Sequence, residues 1–401
     1  MFVNFEWREG NQVELLINGC QFFPSVFDSI RSARHEILLE TFIIFDDEVG
    51  RELKDALLEA AAKQVKIDIT VDGYGTADLN SDYIADLKAA GINMHIYDPR
   101  PRRLGMRTNL FRRLHRKIVV VDGEVAYIGG INFGADHLPE KDPMGKQDYA
   151  VRVHGPIVDD IRAAATSFLL EHQAIQELPE LTSAAPEAGK ADILMAIRDN
   201  NSHPTDIEDQ YLLAIQSASS RLIIANAYFF PSYRIWHELA NASRRGVKVT
   251  LILQGQPDRP WTRSLSSFLY SRLLNVGVRI YEYKERPLHG KIAIVDHEWV
   301  TVGSSNLDPL SLSLNLEANL FIRDARLNKN VYEHLVDIVN NSSQEVTREI
   351  ATKGHWWRAP FTVASFHFLR HFPNIVGWRP AHSPKIKPLT VKTSKKKRVL
   401  R

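Results

Sequence analysis

The sequence predicts an α/β protein made of two similar domains that arose by internal duplication. Three observations support this prediction: the length of 401 residues, a β-α-β-α-β pattern that is read twice, and one motif that occurs in each half. The composition, 44% hydrophobic and 24% charged, allows a substantial core and argues against a globally disordered chain.

Two nearly continuous apolar runs open the repeated pattern. They are EILLETFIIF at 36–45 and RLIIANAYFF at 221–230, and such runs are typical of strands buried on both faces. Each run is followed by an amphipathic stretch that we predict to be helical, at 48–63 in the first half and at 231–245 in the second.

The pattern continues with a second strand in each half, VKIDITVDG at 65–73 and VKVTLILQG at 247–255. Further helices are predicted near 80–90 and over 262–275, and they end in A-G-I or V-G-V before a third strand. The alternation of strands and helices favours two α/β units.

Composition sets the expected domain boundaries. Residues 177–190, ELPELTSAAPEAGK, have the Pro, Ala, Ser and Gly content of a linker. We therefore expect an N-terminal domain over 1–176 and a C-terminal domain over 191–350. The remaining segment, 351–401, is basic and aromatic, and we expect it to associate with a membrane.

The net charge of +2 conceals an uneven distribution. Residues 351–401 carry 12 Lys and Arg and no Asp or Glu, so the first 350 residues hold 38 basic side chains against all 48 acidic ones. A cationic tail beside an acidic body favours an anionic partner such as membrane lipid or nucleic acid. The alternative for residues 385–401 is a disordered, solvated tail.

Targeting signals are not evident. Cys20 is the single cysteine, so an intrachain disulfide is excluded, which fits a reducing compartment. The N-terminal residues do not have the pattern of a signal peptide, and no run reaches the ~18–20 apolar residues of a membrane-spanning helix. We expect a soluble body.

The repeated motif is LHRKIVVVD at 114–122 and LHGKIAIVD at 288–296. Because side chains alternate along a strand, His115 and Lys117 are expected on one face and Asp122 on the other, at a hairpin turn. The same parity applies to Asp296. It predicts that both aspartates shape turns and do not react, although a β-bulge would reverse this parity.

A small-residue turn and an asparagine follow each hairpin, at the same offset in the two halves. Gly and Ser allow backbone and amide groups to approach a bound anion closely. The residues concerned are Gly129, Gly130 and Asn132 in the first half, and Gly303, Ser304 and Asn306 in the second.

Two histidines and two lysines suit displacement at a phosphodiester. Such a reaction needs a nucleophile, an acid for the leaving oxygen and cations for the phosphoryl oxygens. An imidazole has a pKa near ~6.5, so one histidine is able to attack while the other donates a proton. Zinc binding is a weaker interpretation, because H-x-K offers one good ligand per motif with no nearby Cys or second His.

These strings resemble the HKD motif of the phospholipase D superfamily, and two copies in one chain make a specific match. Within the superfamily the likeness is to the short form of bacterial cardiolipin synthase, over roughly residues 10–380. Supporting strings are FRRLHRK (111–117), KQDYAVR (146–152) and GSSNLDPLSLSLNLEAN (303–319). The resemblance implies two phospholipase D-like α/β domains with one active site at their interface, a covalent phosphohistidine, and neither metal nor cofactor.

The resemblance also implies the members of the site. They are His115, Lys117, Asn132, His289, Lys291 and Asn306. Asp148 and Glu317 match family acids that hydrogen-bond the catalytic imidazoles, and their alternative role is an ordinary surface salt bridge. The sequence does not settle which histidine attacks, and family precedent favours His115. Ser304 stands where the first half has Gly130, so the halves need not be equivalent.

The implied reaction makes cardiolipin from two phosphatidylglycerol molecules and releases glycerol. The alternatives are a phospholipase D or another phosphodiesterase, including a nuclease, that uses the same site, and a non-catalytic lipid-binding scaffold. We expect anionic phospholipid, and no nucleic acid, as the partner. The expected location is peripheral, on the cytoplasmic face of the bacterial inner membrane.

Two segments suit contact with lipid, the arginine-rich residues 100–117 and the aromatic residues 356–372. Arginines hold phosphates, and tryptophans favour the membrane interface. The alternatives are a basic loop that binds nothing and a C-terminal helix packed on the core. The candidate lipid-binding residues are Arg100, Arg102, Arg103, Arg107, Arg112, Arg113, Trp356 and Trp357.

Overall fold

The computed structural model describes residues 5–99, 112–141, 143–171, 185–255, 270–349 and 385–388. The strands are β1 (Arg8–Ile17), β2 (Glu36–Thr41), β3 (Lys66–Asp72), β4 (Asn93–Tyr97), β5 (Ile118–Val121), β6 (Val125–Gly129), β7 (Tyr149–His154), β8 (Ala191–Arg198), β9 (Arg221–Asn226), β10 (Lys248–Gln254), β11 (Arg279–Tyr283), β12 (Lys291–Val295), β13 (Trp299–Gly303), β14 (Glu317–Arg323), β15 (Ser343–Glu345) and β16 (Ile386–Pro388). The helices are α1 (Asn18–Ser32), α2 (Glu48–Ala62), α3 (Ser81–Ala89), α4 (Ile157–Glu171), α5 (Asp206–Ser217), α6 (Tyr233–Arg244), α7 (Pro309–Ser313) and α8 (Ala325–Asn341), with a 3₁₀ turn at Ala135–His137.

The strands of the described residues form one hydrogen-bonded series with an internal symmetry. Its order is β15-β11-β10-β9-β12-β13-β14-β8-β1-β7-β6-β5-β2-β3-β4-β16. Read outward from the β8–β1 junction, each strand of one half has a counterpart at the same place in the other. The prediction of a duplicated α/β fold is therefore confirmed.

Each half combines a parallel sheet with an antiparallel hairpin. β2, β3 and β4 run parallel in the first half, as β9, β10 and β11 do in the second. The hairpins β5–β6 and β12–β13 then pair antiparallel to β2 and β9. This arrangement places the start of β5 and the start of β12, where the histidines lie, toward the junction of the halves.

The first predicted strand of each half is shorter than the apolar run suggested. Strand geometry ends at Thr41 and at Asn226, not at residues 45 and 230. Beyond these points the chain makes only isolated bridges, Ile44 to Phe133 and Phe229 to Leu307. Of the extra apolar residues, Ile44 and Phe229 are buried beside the residues that follow Asn132 and Asn306, whereas Phe45 is exposed.

The helices that follow these runs lie close to their predicted bounds. Asp47 caps α2 by accepting hydrogen bonds from two backbone N–H groups, and Ser232 caps α6. The helix predicted near 80–90 is α3. Of the helix predicted over 262–275, residues 270–275 are described and are helical.

Four strand–helix pairs are additional to the predicted pattern, and two of them, β7–α4 and β14–α8, follow the hairpins. β1 and α1 precede β2, and β8 and α5 precede β9. β1 pairs antiparallel with β7 on one side and with β8 on the other, so it joins the two halves. Polar residues alternate irregularly along β1, and this weakens the sequence signal of a strand.

A single hydrophobic cluster crosses from one half to the other. It includes Leu38 and Ile118 from the first half and Ile292 and Val302 from the second, all of them buried. Two further clusters lie on the outer sides of the sheets, one in each half. The halves are therefore joined by core packing as well as by strand pairing.

The described part of the C-terminal segment pairs with the first half, since β16 lies antiparallel to β4. Within the described ranges, none of the helices combines the length and the apolar character that crossing a bilayer requires.

Candidate active site

The backbone of each H-x-K segment is tied to the opposite half. The His115 N–H donates to the Leu316 carbonyl at 2.9 Å, and the His289 N–H donates to the Gln147 carbonyl at 2.8 Å. These bonds reproduce the pseudo-twofold symmetry of the sheet. As a result, the two repeated motifs lie side by side at the junction of the halves.

Each histidine is paired with an acid from the other half. His115 Nδ1 lies 2.9 Å from Glu317 Oε2, and His289 Nδ1 lies 2.6 Å from Asp148 Oδ2. Both carboxylates are completely buried. A carboxylate at Nδ1 fixes the tautomer of the ring and leaves Nε2 available for chemistry. All four residues are among those predicted from the sequence, and the structure adds that each acid pairs with the histidine of the other half.

Two buried lysines accompany the histidines. Lys117 donates to the carbonyl of His115 at 2.7 Å, and Lys291 donates to the carbonyl of His289. Burial lowers the pKa of Lys117 to about 7 and that of Lys291 to about 8. A bound anion would favour the charged forms, so the pair is suited to neutralising phosphoryl oxygens.

Burial also favours neutral imidazoles. It lowers the pKa of His115, although Glu317 opposes the shift. Burial, with Lys291 second, holds the pKa of His289 well below its usual range. Neutral imidazole is the form that attacks an electrophile, and protonation of the partner ring requires negative charge nearby.

Asn132 and Asn306 lie directly after the two hairpins, and both are buried. The side-chain Oδ1 atom of each has no hydrogen-bond partner among the described residues. Buried amides left unsatisfied at the same place in both halves are expected where a ligand completes the hydrogen bonding.

The difference between Gly130 and Ser304 follows from the two acids. A Cβ atom at Gly130 would overlap the carboxylate of Asp148. In the second half, the Ser304 hydroxyl donates to Glu317 Oε2 at 2.5 Å. The first half therefore requires glycine at this position, whereas the second uses serine to hold its acid. The preceding glycines, Gly129 and Gly303, are the last residues of β6 and β13.

Asp122 and Asp296 lie at the hairpin turns, at the other end of β5 and β12 from the histidines. Their φ angles are 54° and 49°. The Asp122 carboxylate accepts from the backbone N–H groups of residues 34–36, and that of Asp296 accepts from those of residues 219–221. Both aspartates thus fasten a hairpin to the start of the neighbouring strand.

The candidate lipid-binding arginines are only partly described. Arg100, Arg102, Arg103 and Arg107, like Trp356 and Trp357, lie outside the described residues. Arg112 is half-buried and has a φ angle of 61°.

Arg113 does not lie on an open surface as predicted. It is buried, its guanidinium group lies 3.5 Å from the Tyr74 ring centre, and it is 3.6 Å from Asp72 Oδ1. The neighbouring Arg116 is also buried and makes a bidentate pair with Glu40 at 2.8 and 2.7 Å. The physical reason is that the segment before β5 turns inward to carry His115 to the site.

Sequence reasoning missed His137, a fully buried residue of the 3₁₀ turn. Its ring centre lies 5.5 Å from that of His289, and its Nδ1 lies 3.5 Å from Asp148 Oδ2. The expectation that no second histidine lies near the motifs was therefore wrong. The available signal was a histidine five residues after Asn132, which no spacing rule singles out.

The duplicated sheet and the two crossed histidine–acid pairs define an enzyme of the phospholipase D superfamily. The sequence model of the family described as "Cardiolipin synthase, PLD-like domain" matches residues 26–161 and 211–338. The two matched segments correspond to the two halves of the sheet. The chain belongs to this family and is an enzyme of the cardiolipin synthase type.

Individual relatives agree with this assignment. The chain is 50% identical to Cardiolipin synthase B of Salmonella typhimurium over 381 residues, which cover 94% of this chain and 92% of that protein. It is 48% identical to Cardiolipin synthase B of Escherichia coli K12 over 390 residues, 95% of this chain and 93% of that protein.

A solved structure shows the same fold. The phosphatidylserine synthase of Haemophilus influenzae superimposes with a TM-score of 0.67 over 91% of this chain and 94% of that chain, at 15% sequence identity. At this identity the similarity concerns the fold alone.

Proposed function

We propose that the chain transfers a phosphatidyl group from one phosphatidylglycerol molecule to another, making cardiolipin and releasing glycerol. The observation that carries this proposal is the symmetric pair of histidines, each held by a buried acid and each beside a buried lysine. The relatives named cardiolipin synthase B support the choice of substrate.

In the first step, Nε2 of His115 attacks the phosphorus of phosphatidylglycerol. A nitrogen–phosphorus bond forms, the bond from phosphorus to the headgroup glycerol breaks, and His289 gives its proton to the departing oxygen. The product is a phosphatidyl-histidine and free glycerol. We assign the attack to His115 because family precedent favours the first motif.

In the second step, neutral His289 removes a proton from the terminal hydroxyl of a second phosphatidylglycerol molecule. That oxygen attacks the phosphorus, the nitrogen–phosphorus bond breaks, and His115 returns to its starting state. Cardiolipin forms, and His289 is protonated for the next cycle. The two histidines thus exchange acid and base roles between the steps.

The remaining residues support charge and geometry. Lys117 and Lys291 balance the negative charge on the phosphoryl oxygens, together with the amides of Asn132 and Asn306. The buried acids stabilise each imidazole when it carries charge, as the third member of a catalytic triad does.

Water in place of the second lipid would give phospholipase D activity. The deciding experiment incubates purified protein with phosphatidylglycerol vesicles and identifies the lipid and water-soluble products. Cardiolipin with glycerol is the expected result. Phosphatidic acid with glycerol would contradict transfer, and cleavage of DNA alone, tested in parallel, would indicate a nuclease.

We further propose that the enzyme works as a peripheral protein on the cytoplasmic face of the bacterial inner membrane. Support comes from the basic residues of 100–112 and from those of 351–401. Sedimentation with phosphatidylglycerol vesicles, and not with neutral phosphatidylcholine vesicles, is the expected binding behaviour.

We also propose that the two domains span residues 1–176 and 191–350, with a linker at 177–190 between them.

A further inference from the structure

Each of the two buried acids has a second O–H or N–H donor close to the oxygen that pairs with a histidine. For Glu317 this donor is Ser304, whose hydroxyl lies 2.5 Å from Oε2, the same atom that pairs with His115. The Ser304 oxygen in turn accepts the N–H of Ala318 at 3.1 Å. A backbone N–H, a side chain, the acid and the imidazole therefore form one continuous chain.

The first half cannot build the same chain, since Gly130 stands in place of the serine and a side chain there would overlap Asp148. His137 occupies the equivalent role from a different position. Its Nε2 accepts the backbone N–H of Asn132 at 3.4 Å, and its Nδ1 lies 3.5 Å from Asp148 Oδ2. That carboxylate oxygen is the one paired with His289.

The state of the His137 ring follows from these contacts. Because Nε2 accepts a backbone N–H, the single proton of a neutral ring resides on Nδ1, which faces the carboxylate. The ring is completely buried, and Nδ1 faces Asp148 Oδ2 at 3.5 Å without forming a hydrogen bond to any described residue. Burial, with Lys146 second, holds the pKa of His137 well below its usual range, which agrees with a neutral ring.

We infer that His137 is a positioning residue that holds the Asp148 carboxylate in place for His289, as Ser304 does for Glu317 and His115. This inference rests on the proposed function, because it assigns to His289 a role in the reaction. It also connects two parts of the site, since the same ring supports the backbone of Asn132. The two halves therefore hold their orienting acids with unrelated side chains, Ser304 beside Glu317 and His137 beside Asp148.

A metal ion is the competing interpretation of this cluster. Ligand atoms of His137, Asp148 and His289 all lie within 4.8 Å of one another. However, the 2.6 Å between His289 Nδ1 and Asp148 Oδ2 is a hydrogen-bond distance, whereas two ligands of tetrahedral zinc lie roughly 3.3 Å apart. Positive charge on Lys146 and Lys291 also acts on His137. A shared proton is favoured over a shared metal.

The test compares two substitutions in the intact chain. His137→Phe retains a ring but removes both nitrogens, whereas His137→Asn retains an N–H donor close to the position of Nδ1. We expect His137→Phe to lower kcat for cardiolipin formation about 10–100-fold, with KM changed less than about twofold, and His137→Asn to recover most of kcat.

His95→Phe is the matched control. His95 is another buried imidazole, paired with Asp68 at 3.0 Å outside the site. Its loss is expected to lower the melting temperature and leave kcat unchanged. Equal loss of kcat in His137→Phe and His137→Asn, or full activity in both, would overturn the inference.

A second readout does not depend on turnover. The proton between His289 and Asp148 is expected to give a downfield NMR resonance, identified by its disappearance in His289→Ala. The resonance should shift in His137→Phe and stay in place in His137→Asn and His95→Phe. An unchanged resonance in His137→Phe would contradict the inference, as would stoichiometric zinc binding that His137→Asn abolishes. If wild-type protein makes no cardiolipin, the proposed function fails while this measurement still reports on His137.

Discussion

At the scale of single residues, the site depends on acids that reach across the junction of the halves. His115 is oriented by Glu317 and His289 by Asp148, and all four side chains are buried or nearly so. Neither half contains a histidine together with the acid that orients it. Each acid can therefore be substituted without changing the half of the chain that carries the histidine it orients.

Neutral replacements of these acids should separate orientation from folding. We expect Glu317→Gln and Asp148→Asn each to lower kcat at least about 100-fold, because the imidazole loses its fixed tautomer and the stabilisation of its charged form. Steady-state kinetics with phosphatidylglycerol vesicles is the measurement, and Glu298→Gln, on an exposed turn, is the control. Activity within threefold of wild type would argue against the crossed pairs.

The histidines themselves give the simplest prediction. His115→Ala and His289→Ala should each abolish cardiolipin formation, since one removes the nucleophile and the other the acid and base. A chelator should leave wild-type activity unchanged, as the resemblance implies a reaction without metal. Full activity in either alanine variant would show that the two motifs do not share one site.

The buried lysines predict a dependence of anion binding on pH. Because burial lowers the pKa of Lys117 to about 7 and of Lys291 to about 8, both lose charge as the pH rises from 6 to 9. Sulfate, whose own charge is constant in this range, should therefore bind more weakly at pH 9 than at pH 6 and take up protons on binding.

Calorimetry in two buffers of different ionisation enthalpy measures both effects. Lys117→Met should reduce the proton uptake, and Lys141→Met, which removes an exposed lysine paired with Glu48, should not. Affinity that rises with pH would contradict the assignment of the two lysines as the anion site.

At the scale of elements, the hairpins that carry the site are fastened at their far ends. Asp296 lies between β12 and β13 and accepts from several N–H groups before and at the start of β9. Burial alone would raise the pKa of Asp296, but these N–H groups hold it well below its usual value. The turn therefore contributes stability that depends on an ionised carboxylate.

Asp296→Ala should lower the free energy of unfolding by about 2 kcal/mol at neutral pH, through the lost hydrogen bonds. The pKa of Asp296 is lower in the folded state than in the unfolded state, where it is about 4. The contribution of Asp296 to stability is therefore complete above the unfolded-state pKa and fades as the pH falls toward the folded-state pKa. Urea unfolding at pH 7 and pH 3 measures it, with Asp337→Ala on the exposed face of α8 as control. A difference between variant and wild type that grows at pH 3 would contradict the argument.

The elements also show what the sequence could and could not predict. Buried on both faces, β2 and β9 give apolar runs that predict strands, but the runs continue to Phe45 and Phe230, past the point where the chain leaves the sheet and makes isolated bridges. β1 exposes alternate residues irregularly and was missed. The prediction for the histidines depended on the repeat, which leaves a periodic signal, and the prediction for the acids depended on the family resemblance. His137 belongs to one half only, and a non-repeated contact leaves none.

At the scale of the whole molecule, the junction of the halves is both core and site. Tyr149 follows Asp148 in the chain, is completely buried, and its hydroxyl lies 3.1 Å from His334 Nε2 in the second half. Its ring lies against Gly290, the residue between His289 and Lys291, where an added Cβ would overlap it. Packing and chemistry therefore share the same few residues.

Gly290→Ala should reduce stability and turnover together. The methyl group displaces the Tyr149 ring, which loosens the junction and moves Asp148 away from His289. Gly246→Ala is the comparison, because that glycine has a φ of 95° but open space around it. It should cost stability through backbone strain and leave kcat unchanged. Thermal unfolding and steady-state kinetics on both variants measure the two effects. A Gly290→Ala enzyme with normal kcat would disprove the coupling between packing at the junction and turnover.

The exchange of partners has a consequence for the timing of synthesis. His115 is synthesised long before Glu317, and Asp148 long before His289. A nascent first half therefore carries a histidine without the acid that orients it. In this architecture, neither orienting pair exists until nearly the whole of both halves has emerged and folded together.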